Sequence, residues 1–162
     1  MDFNKTAIED VYLIMPEKHE DERGFFARTF DKNQFFHQYI PFDILQTNIS
    51  YNKLKGSVRG MHWQSLPYLE SKIIQCVKGS IYDVLIDLRS YSKTYNKWYS
   101  FNLNDRNNYI LYVPPDIAHG FQTLEDNTTI LYYMNREYHK ECSMIIPHND
   151  KNYNIKWPLP VT

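Results

Sequence analysis

Cysteine is scarce. Cys76, in an apolar strand-like run, and Cys142, after a polar stretch, are the only two in 162 residues. Two cannot make a disulfide framework, so reduced thiols and a cytoplasmic location are expected. Charge of one sign is also missing. A net charge of −1 provides no global field for nucleic acid or a membrane surface, and any anion site must be a local cluster of Arg and Lys. The opening Met1-Asp2-Phe3-Asn4-Lys5-Thr6 has no apolar core of a signal peptide, and no apolar run approaches membrane-spanning length. Repeats, low-complexity tracts and linkers are absent. One domain over residues 1–162 is expected.

Hydrophobic residues make up 43% and charged residues 23%, an ordinary globular balance; aromatics reach 16%, with 14 Tyr. Tyr favours strands and pockets that are dry at one end and wet at the other. The one helix signal is Asp31-Lys32-Asn33-Gln34, a capping-box pattern that predicts a short helix with Phe35, Phe36 and Tyr39 as its apolar stripe. Strand signals dominate thereafter. Lys72–Val77 and Ile81–Leu88 flank Lys78-Gly79-Ser80 and read as a hairpin. Further runs are Trp98–Leu103, Tyr109–Val113, Gly120–Leu124 and Thr128–Met134. Many short strands with few helices predict an all-β sandwich, jelly roll or barrel, with a ligand site among inward-facing residues. In Ile81–Leu88, alternation sets Tyr82, Val84, Ile86 and Leu88 on one face and Asp83, Leu85 and Asp87 on the other. The carboxylates face either a polar lumen or solvent.

Chemistry-bearing residues gather in two runs, Ser57-Val58-Arg59-Gly60-Met61-His62-Trp63-Gln64 and Pro114-Pro115-Asp116-Ile117-Ala118-His119-Gly120-Phe121. Arg59 and His62, three apart, would point to opposite faces of a regular strand. Gly60 between them could mark a bulge that re-aims one of them. The second run resembles the second motif of the cupin double-stranded β-helix, with Asp116 where Gly is usual. Asp tolerates similar backbone angles better than most residues. Metal-binding cupins add a His-x-His pair and a downstream Glu to the first motif. Here Gln64 stands two residues beyond His62, so no metal is expected. By alternation only one of Tyr132 and Tyr133 faces inward. A Tyr across a pocket from a His makes an acid–base pair.

Together these features resemble the nucleotide-sugar 3,5-epimerases typified by dTDP-4-dehydrorhamnose 3,5-epimerase, from about Asp21 to Pro158. Matching blocks include Asp21-Glu22-Arg23-Gly24-Phe25-Phe26, Gln46-Thr47-Asn48-Ile49-Ser50, Arg59–Gln64, Lys72, Gly79–Arg89, Pro114–Phe121, Leu131-Tyr132, Tyr138, Asn149-Asp150 and Ile155-Lys156-Trp157-Pro158. The resemblance implies a cupin-type jelly roll, usually a homodimer that exchanges an N-terminal strand. It implies cofactor-independent epimerisation of a nucleotide-diphosphate-linked 4-keto sugar at C3 and C5 through an enolate. By resemblance His62 is the base and Tyr132 the acid. Lys72 and His119, the latter oriented by Asp83, stabilise the enolate or bind sugar. Arg23 and Arg59 hold the diphosphate, and Gln46, Asn48, Phe26 and Tyr138 line the substrate pocket.

Two departures stand out. The family usually carries a C-terminal Leu-Ser-x-Lys-Asp segment whose Asp pairs with the base His; here the sequence runs Trp157-Pro158-Leu159-Pro160-Val161-Thr162. That difference leaves four alternatives: a weaker base, a base that borrows another partner, a single-centre epimerase or keto-isomerase, or a non-catalytic sugar-binding cupin. The family also commonly has Glu two residues beyond the second Phe, where this chain has Arg28. Arg offers only donors and matches the O6/N7 edge of guanine. Arg28 therefore points to a GDP-linked substrate such as a 4-keto heptose, unless it faces solvent or binds phosphate.

Overall fold

The computed structural model describes all 162 residues. In chain order the elements are β1 (Asp2–Lys5), β2 (Tyr12–Met15), β3 (Lys18–Asp21), β4 (Gly24–Ala27), α1 (Lys32–His37), β5 (Gln46–Asn52), β6 (Val58–Gln64), β7 (Lys72–Lys78), β8 (Ser80–Asp87), β9 (Trp98–Asn104), β10 (Ile110–Val113), β11 (Ile117–Thr123), β12 (Thr128–Met134) and β13 (Ser143–Ile145). They form a six-stranded sheet in the order β1-β2-β10-β7-β12-β5 and a five-stranded sheet in the order β13-β6-β11-β8-β9. All pairings are antiparallel. The third sheet is only the β3–β4 hairpin. This is the expected all-β, cupin-type jelly roll.

The core lies between the two large sheets, where Ile74, Cys76, Leu111, Val113 and Ile130 meet Ile81, Leu85, Leu103, Ile117 and Phe121. Each such side chain, taken fully out of water, contributes roughly 1.5–3 kcal/mol. Burial also pushes the Cys76 thiol up to about 12, so it packs as an apolar side chain. Two smaller clusters cover the outer faces: Phe35, Ile40 and Phe42 on the six-stranded sheet, and Ile155 with Trp157 on the five-stranded one.

The alternation in β8 is as expected, and its open choice is resolved. Asp83 and Asp87 are both fully buried, which excludes the solvent-facing reading. Asp87 accepts from Arg89 Nε (2.9 Å), Ser92 Oγ (2.6 Å) and Thr94 Oγ1 (2.6 Å). Burial raises its pKa, but these bonds outweigh the effect and hold it at about 2.

Two expectations fail. β7 and β8 do not form a hairpin. β7 pairs with β10 and β12, whereas β8 pairs with β11 and β9. Gly79, at φ +79°, turns the chain from one sheet into the other. Its N–H donates to Asp105 Oδ2 at 2.7 Å, and a Cβ there would stand 2.5 Å from Thr128 Oγ1. Helix α1 is capped by Asp31 as expected, but only Phe35 of its predicted stripe is buried; Phe36 is 68% and Tyr39 94% exposed. The helix ends at His37, and Tyr39 adopts φ +60°. The chain thereby reverses and delivers Ile40 and Phe42 to the core instead.

Gly60 lies at φ +112°, and a Cβ there would fall 2.5 Å from Gly120 Cα and 2.6 Å from His119 O, both backbone atoms. Gly24 has φ +132° but open space around it. Gly60→Ala is expected to lose about 3 kcal/mol or more of unfolding free energy and Gly24→Ala only about 1 kcal/mol. Urea denaturation of the two variants checks this, and equal losses would refute the close-approach argument.

Candidate active site

β6 and β11 pair with a register shift. His62 lies opposite His119 and Arg59 opposite Phe121, so the segment between them is bulged at Gly60. The bulge absorbs the odd spacing, and Arg59 and His62 both reach one cavity. Asp116, before β11, adopts φ +58°, the left-handed turn expected where Gly is usual.

The cavity has a volume of about 260 Å³ and opens at one end of the inter-sheet core. The five-stranded sheet contributes Arg59, His62, His119 and Phe121, and the six-stranded sheet contributes Asn48, Ser50, Lys72, Tyr132 and Met134. A second hollow of about 580 Å³ shares Asn48, His62, Lys72 and Met134 and adds Gln46, Glu70 and Tyr138. Tyr132 is the inward member of its pair, and Tyr133 packs on the outer cluster beneath α1.

Hydrogen bonds fix most of these groups. His119 Nε2 and Asp83 Oδ2 are 2.7 Å apart. Burial pushes the Asp83 carboxyl above the usual carboxylate range while His119 pulls it the other way. Asp83 Oδ1 is buried without a partner. Arg59 Nε donates to Asn52 Oδ1 at 2.6 Å, which leaves its outer guanidinium nitrogens free. Lys72 Nζ donates to the His62 carbonyl at 3.2 Å and meets Glu70 Oε1 at 3.0 Å. Gln64 ties together the loop before β7 and the loop after β12: its Nε2 donates to Tyr68 O and Glu137 O, each at 3.0 Å, and its Oε1 accepts from His139 N at 2.6 Å. Gln46 Oε1 accepts from Tyr138 N at 3.2 Å, which sets Tyr138 at the rim.

The His62 imidazole makes no hydrogen bond to the chain, and the residue is exposed to solvent. Its pKa is nevertheless lowered, first because the cavity walls withdraw water and then because Lys72, His119 and Arg59 repel a proton. Burial drives the Tyr132 phenol the opposite way, well above its ordinary value. At neutral pH the site therefore holds a neutral imidazole and a protonated phenol. No group of three or more His, Cys, Asp or Glu side chains is placed to hold a metal ion.

Three predicted residues are not brought to this cavity. Arg23 pairs with Asp21 on the exposed hairpin, Phe26 is 69% exposed, and Arg28 Nη1 lies 3.2 Å from Asp31 Oδ2 at the cap of α1. Within one chain the cause is topological, because the β3–β4 hairpin joins neither large sheet. Other residues were missed. Ser50 and Asn52 continue the two-residue period of Gln46 and Asn48, a signal that could have found them. Glu70, two residues before Lys72, carried only the same period.

A jelly roll that faces a histidine on one sheet with a tyrosine on the other, across a cationic cavity, is the frame of an acid–base isomerase for an anionic substrate. Comparison with known proteins gives the particular family. The profile of dTDP-4-dehydrorhamnose 3,5-epimerase matches residues 5–162. The enzyme of that name from Shigella flexneri is 37% identical over 161 residues, covering 98% of this chain and 88% of its own. The crystal structure of the Bacillus anthracis enzyme with TDP and pyrophosphate bound superposes with a TM-score of 0.95 at 34% identity, covering 99% of this chain and 93% of that one. A Legionella pneumophila 3,5-epimerase in complex with dTDP-4-keto-L-rhamnose gives 0.93 at 30% identity, covering 99% and 86%. The chain belongs to the dTDP-4-dehydrorhamnose 3,5-epimerase family and is an isomerase. No helix is long and apolar enough to cross a membrane.

The lowered pKa sets a testable sign. An imidazole whose pKa lies below the ordinary 6.5 stays neutral at pH 7 and gains its proton only as pH falls further. An NMR titration of the His62 ring is expected to show a midpoint below 6.5, and Lys72→Met is expected to raise it. A midpoint above the ordinary value would show that the cavity does not disfavour the imidazolium.

Proposed function

We propose that this protein inverts C3 and C5 of a dTDP-linked 4-keto-6-deoxy sugar by removing and returning carbon-bound protons, in the biosynthesis of a surface-polysaccharide sugar. The observation that carries the reading is that His62 and Tyr132 enter one cavity from opposite sheets. Inversion needs a base on one face of the sugar ring and an acid on the other. The ketone acidifies both neighbouring carbons, because the carbanion delocalises into an enolate. Neutral His62 takes the proton, and the phenol of Tyr132 delivers one to the opposite face. Lys72 donates to the growing oxyanion, a contribution on the order of 3 kcal/mol. His119, held by Asp83, orients the sugar beside it. Arg59 takes the diphosphate through its free nitrogens. Gln46, Asn48 and Tyr138 line the remaining wall.

The assembly we propose is a homodimer in which the hairpin of one subunit reaches the cavity of the other, bringing Arg23 and Phe26 to the nucleotide. Support comes from a two-stranded hairpin that leaves Phe25 50% and Phe26 69% exposed, an arrangement that is marginal alone. It also comes from Ile49 (72% exposed) and Tyr51 (54%) on the uncovered face of β5. For the base, the relatives' dTDP names favour thymine. The guanine reading of Arg28 is weaker because its guanidinium is engaged with Asp31. A second reading, slower exchange by a weaker base, is favoured by one observation: the His62 imidazole has no hydrogen-bond partner to strengthen it.

The chemistry is tested by incubation in D2O with dTDP- and GDP-linked 4-keto sugars, following C3 and C5 by NMR. The native protein is expected to incorporate deuterium with the dTDP sugar, and His62→Asn to lose about 10²-fold or more of that rate. Tyr132→Phe is expected to keep exchange but lose inverted product. Inversion by both variants at native rates would dismiss the assignment. The assembly is tested by mixing subunits. Arg23→Ala and His62→Asn are each expected to be impaired, and randomly mixed dimers to recover about a quarter of native activity, because half of them contain one intact site. Absence of recovery would mean that Arg23 does not act across subunits.

A further inference from the structure

Glu70 is a buried charge in the cavity that the proposed proton transfers do not use. It lies in the loop before β7, is 9% exposed, and lines the larger hollow with His62 and Lys72. Its Oε1 is 3.0 Å from Lys72 Nζ, with both side chains less than a tenth exposed. A buried ion pair loses much of its attraction to desolvation and is weak evidence of a stabilising role. Its placement suggests a different purpose. The Lys72 ammonium also donates to the carbonyl of His62, so its charge sits against the residue that must accept a proton.

The groups facing His62 are predominantly basic or neutral. They are Arg59 on β6, Lys72 on β7, His119 on β11, Tyr132 on β12 and Tyr138 in the loop beyond it. Asp83 of β8 lies behind His119 and is spent on it. Glu70 is the remaining carboxylate. An ammonium has three donors. The His62 carbonyl takes one and Glu70 faces another, which leaves one for a ligand in the cavity.

We propose that Glu70 is a positioning residue for the exchange reaction: it fixes the Lys72 ammonium and offsets its field, so that Lys72 can donate to an enolate oxygen while His62 remains able to accept a proton. This inference rests on the epimerase reading of the same cavity. Without Glu70, an uncompensated ammonium would make His62 a poorer base, and the ammonium would be free to leave its place beside the oxyanion.

The test uses the full chain and two independent readouts. In NMR titrations without ligand, Glu70→Gln is expected to lower the His62 midpoint by roughly half a pH unit. The same change in a Lys72→Met background is expected to lower the midpoint by a similar amount, because the fields of the two charges add, and to cost no further kcat, because the positioning acts through Lys72. In exchange assays with a dTDP-linked 4-keto sugar, Glu70→Gln is expected to lower kcat roughly tenfold with little change in KM, and to move the acid limb of kcat/KM down with the midpoint. Glu70→Asp, which keeps the charge but draws it back by one methylene, is expected to hold the midpoint and still lose kcat. It decides the matter if the Gln variant does not fold. An unmoved midpoint in Glu70→Gln, or native kcat in Glu70→Asp, overturns the proposal. Failure of the native protein to exchange protons would overturn the epimerase reading, while the titration would still decide whether Glu70 offsets Lys72.

Discussion

The site depends on a backbone contact between two glycines. Gly60 of β6 and Gly120 of β11 approach so closely that a Cβ on Gly60 would meet Gly120 Cα at 2.5 Å, and one on Gly120 would meet Arg59 O at 2.6 Å. The contact permits the bulge, and the bulge changes the parity of β6. Without it, Arg59 and His62 would lie on opposite faces, and one of the two would be lost to the outer side. With it, His62 stands across from His119 and Arg59 across from Phe121. Arg, His and a second His thus share a wall that no regular strand pairing of this sequence could supply.

The opposing sheet supplies what that wall lacks. Inward positions along β7 and β12 change from apolar at the core to polar at the cavity: Ile74 and Cys76 give way to Lys72, and Ile130 to Tyr132. The core stops where the site begins. The buried polar groups are paired there, Asp83 with His119 and Glu70 with Lys72. Arg59 is held by a neutral amide and keeps its positive charge unopposed. A chain of net charge −1 can therefore present a locally cationic pocket to an anionic ligand.

Much of this was legible because strand alternation is a strong local signal. The alternating faces of β8 and β12 and the cap of α1 follow from residue type and spacing, and the turn at Asp116 from the resemblance to the cupin motif; which face points inward did not follow. The errors arose where tertiary context overrode a local pattern. Lys78-Gly79-Ser80 reads as a hairpin turn, but a jelly roll sends successive strands to different sheets, and no local signal distinguishes the two uses of Gly79. Phe36 and Tyr39 match a helical period, but the helix is too short to carry it. Arg23 and Phe26 carry the family resemblance in sequence and Arg28 departs from it, yet one chain alone does not bring any of them to the cavity. Glu70 went unseen because a carboxylate near the start of a strand is ordinary in sequence. Only its burial against Lys72 distinguishes it.

The geometry also bears on how many carbons react. C3 and C5 flank the same ketone, and both become acidic by the same delocalisation. One oxyanion donor and one base–acid pair on opposite walls can therefore serve either carbon, provided the ring turns to present it. On the proposed reading, the number of centres inverted would be set by the groups around the ring, with Asn48, Ser50, Met134 and the rim residue Tyr138 lining the two hollows. Base strength acts differently. A weaker His62 slows removal of either proton and does not choose between them, so its lack of a hydrogen-bond partner is an argument about rate. Selectivity between C3 and C5 belongs to the wall that faces the sugar hydroxyls, and it can change without any change in His62 or Tyr132.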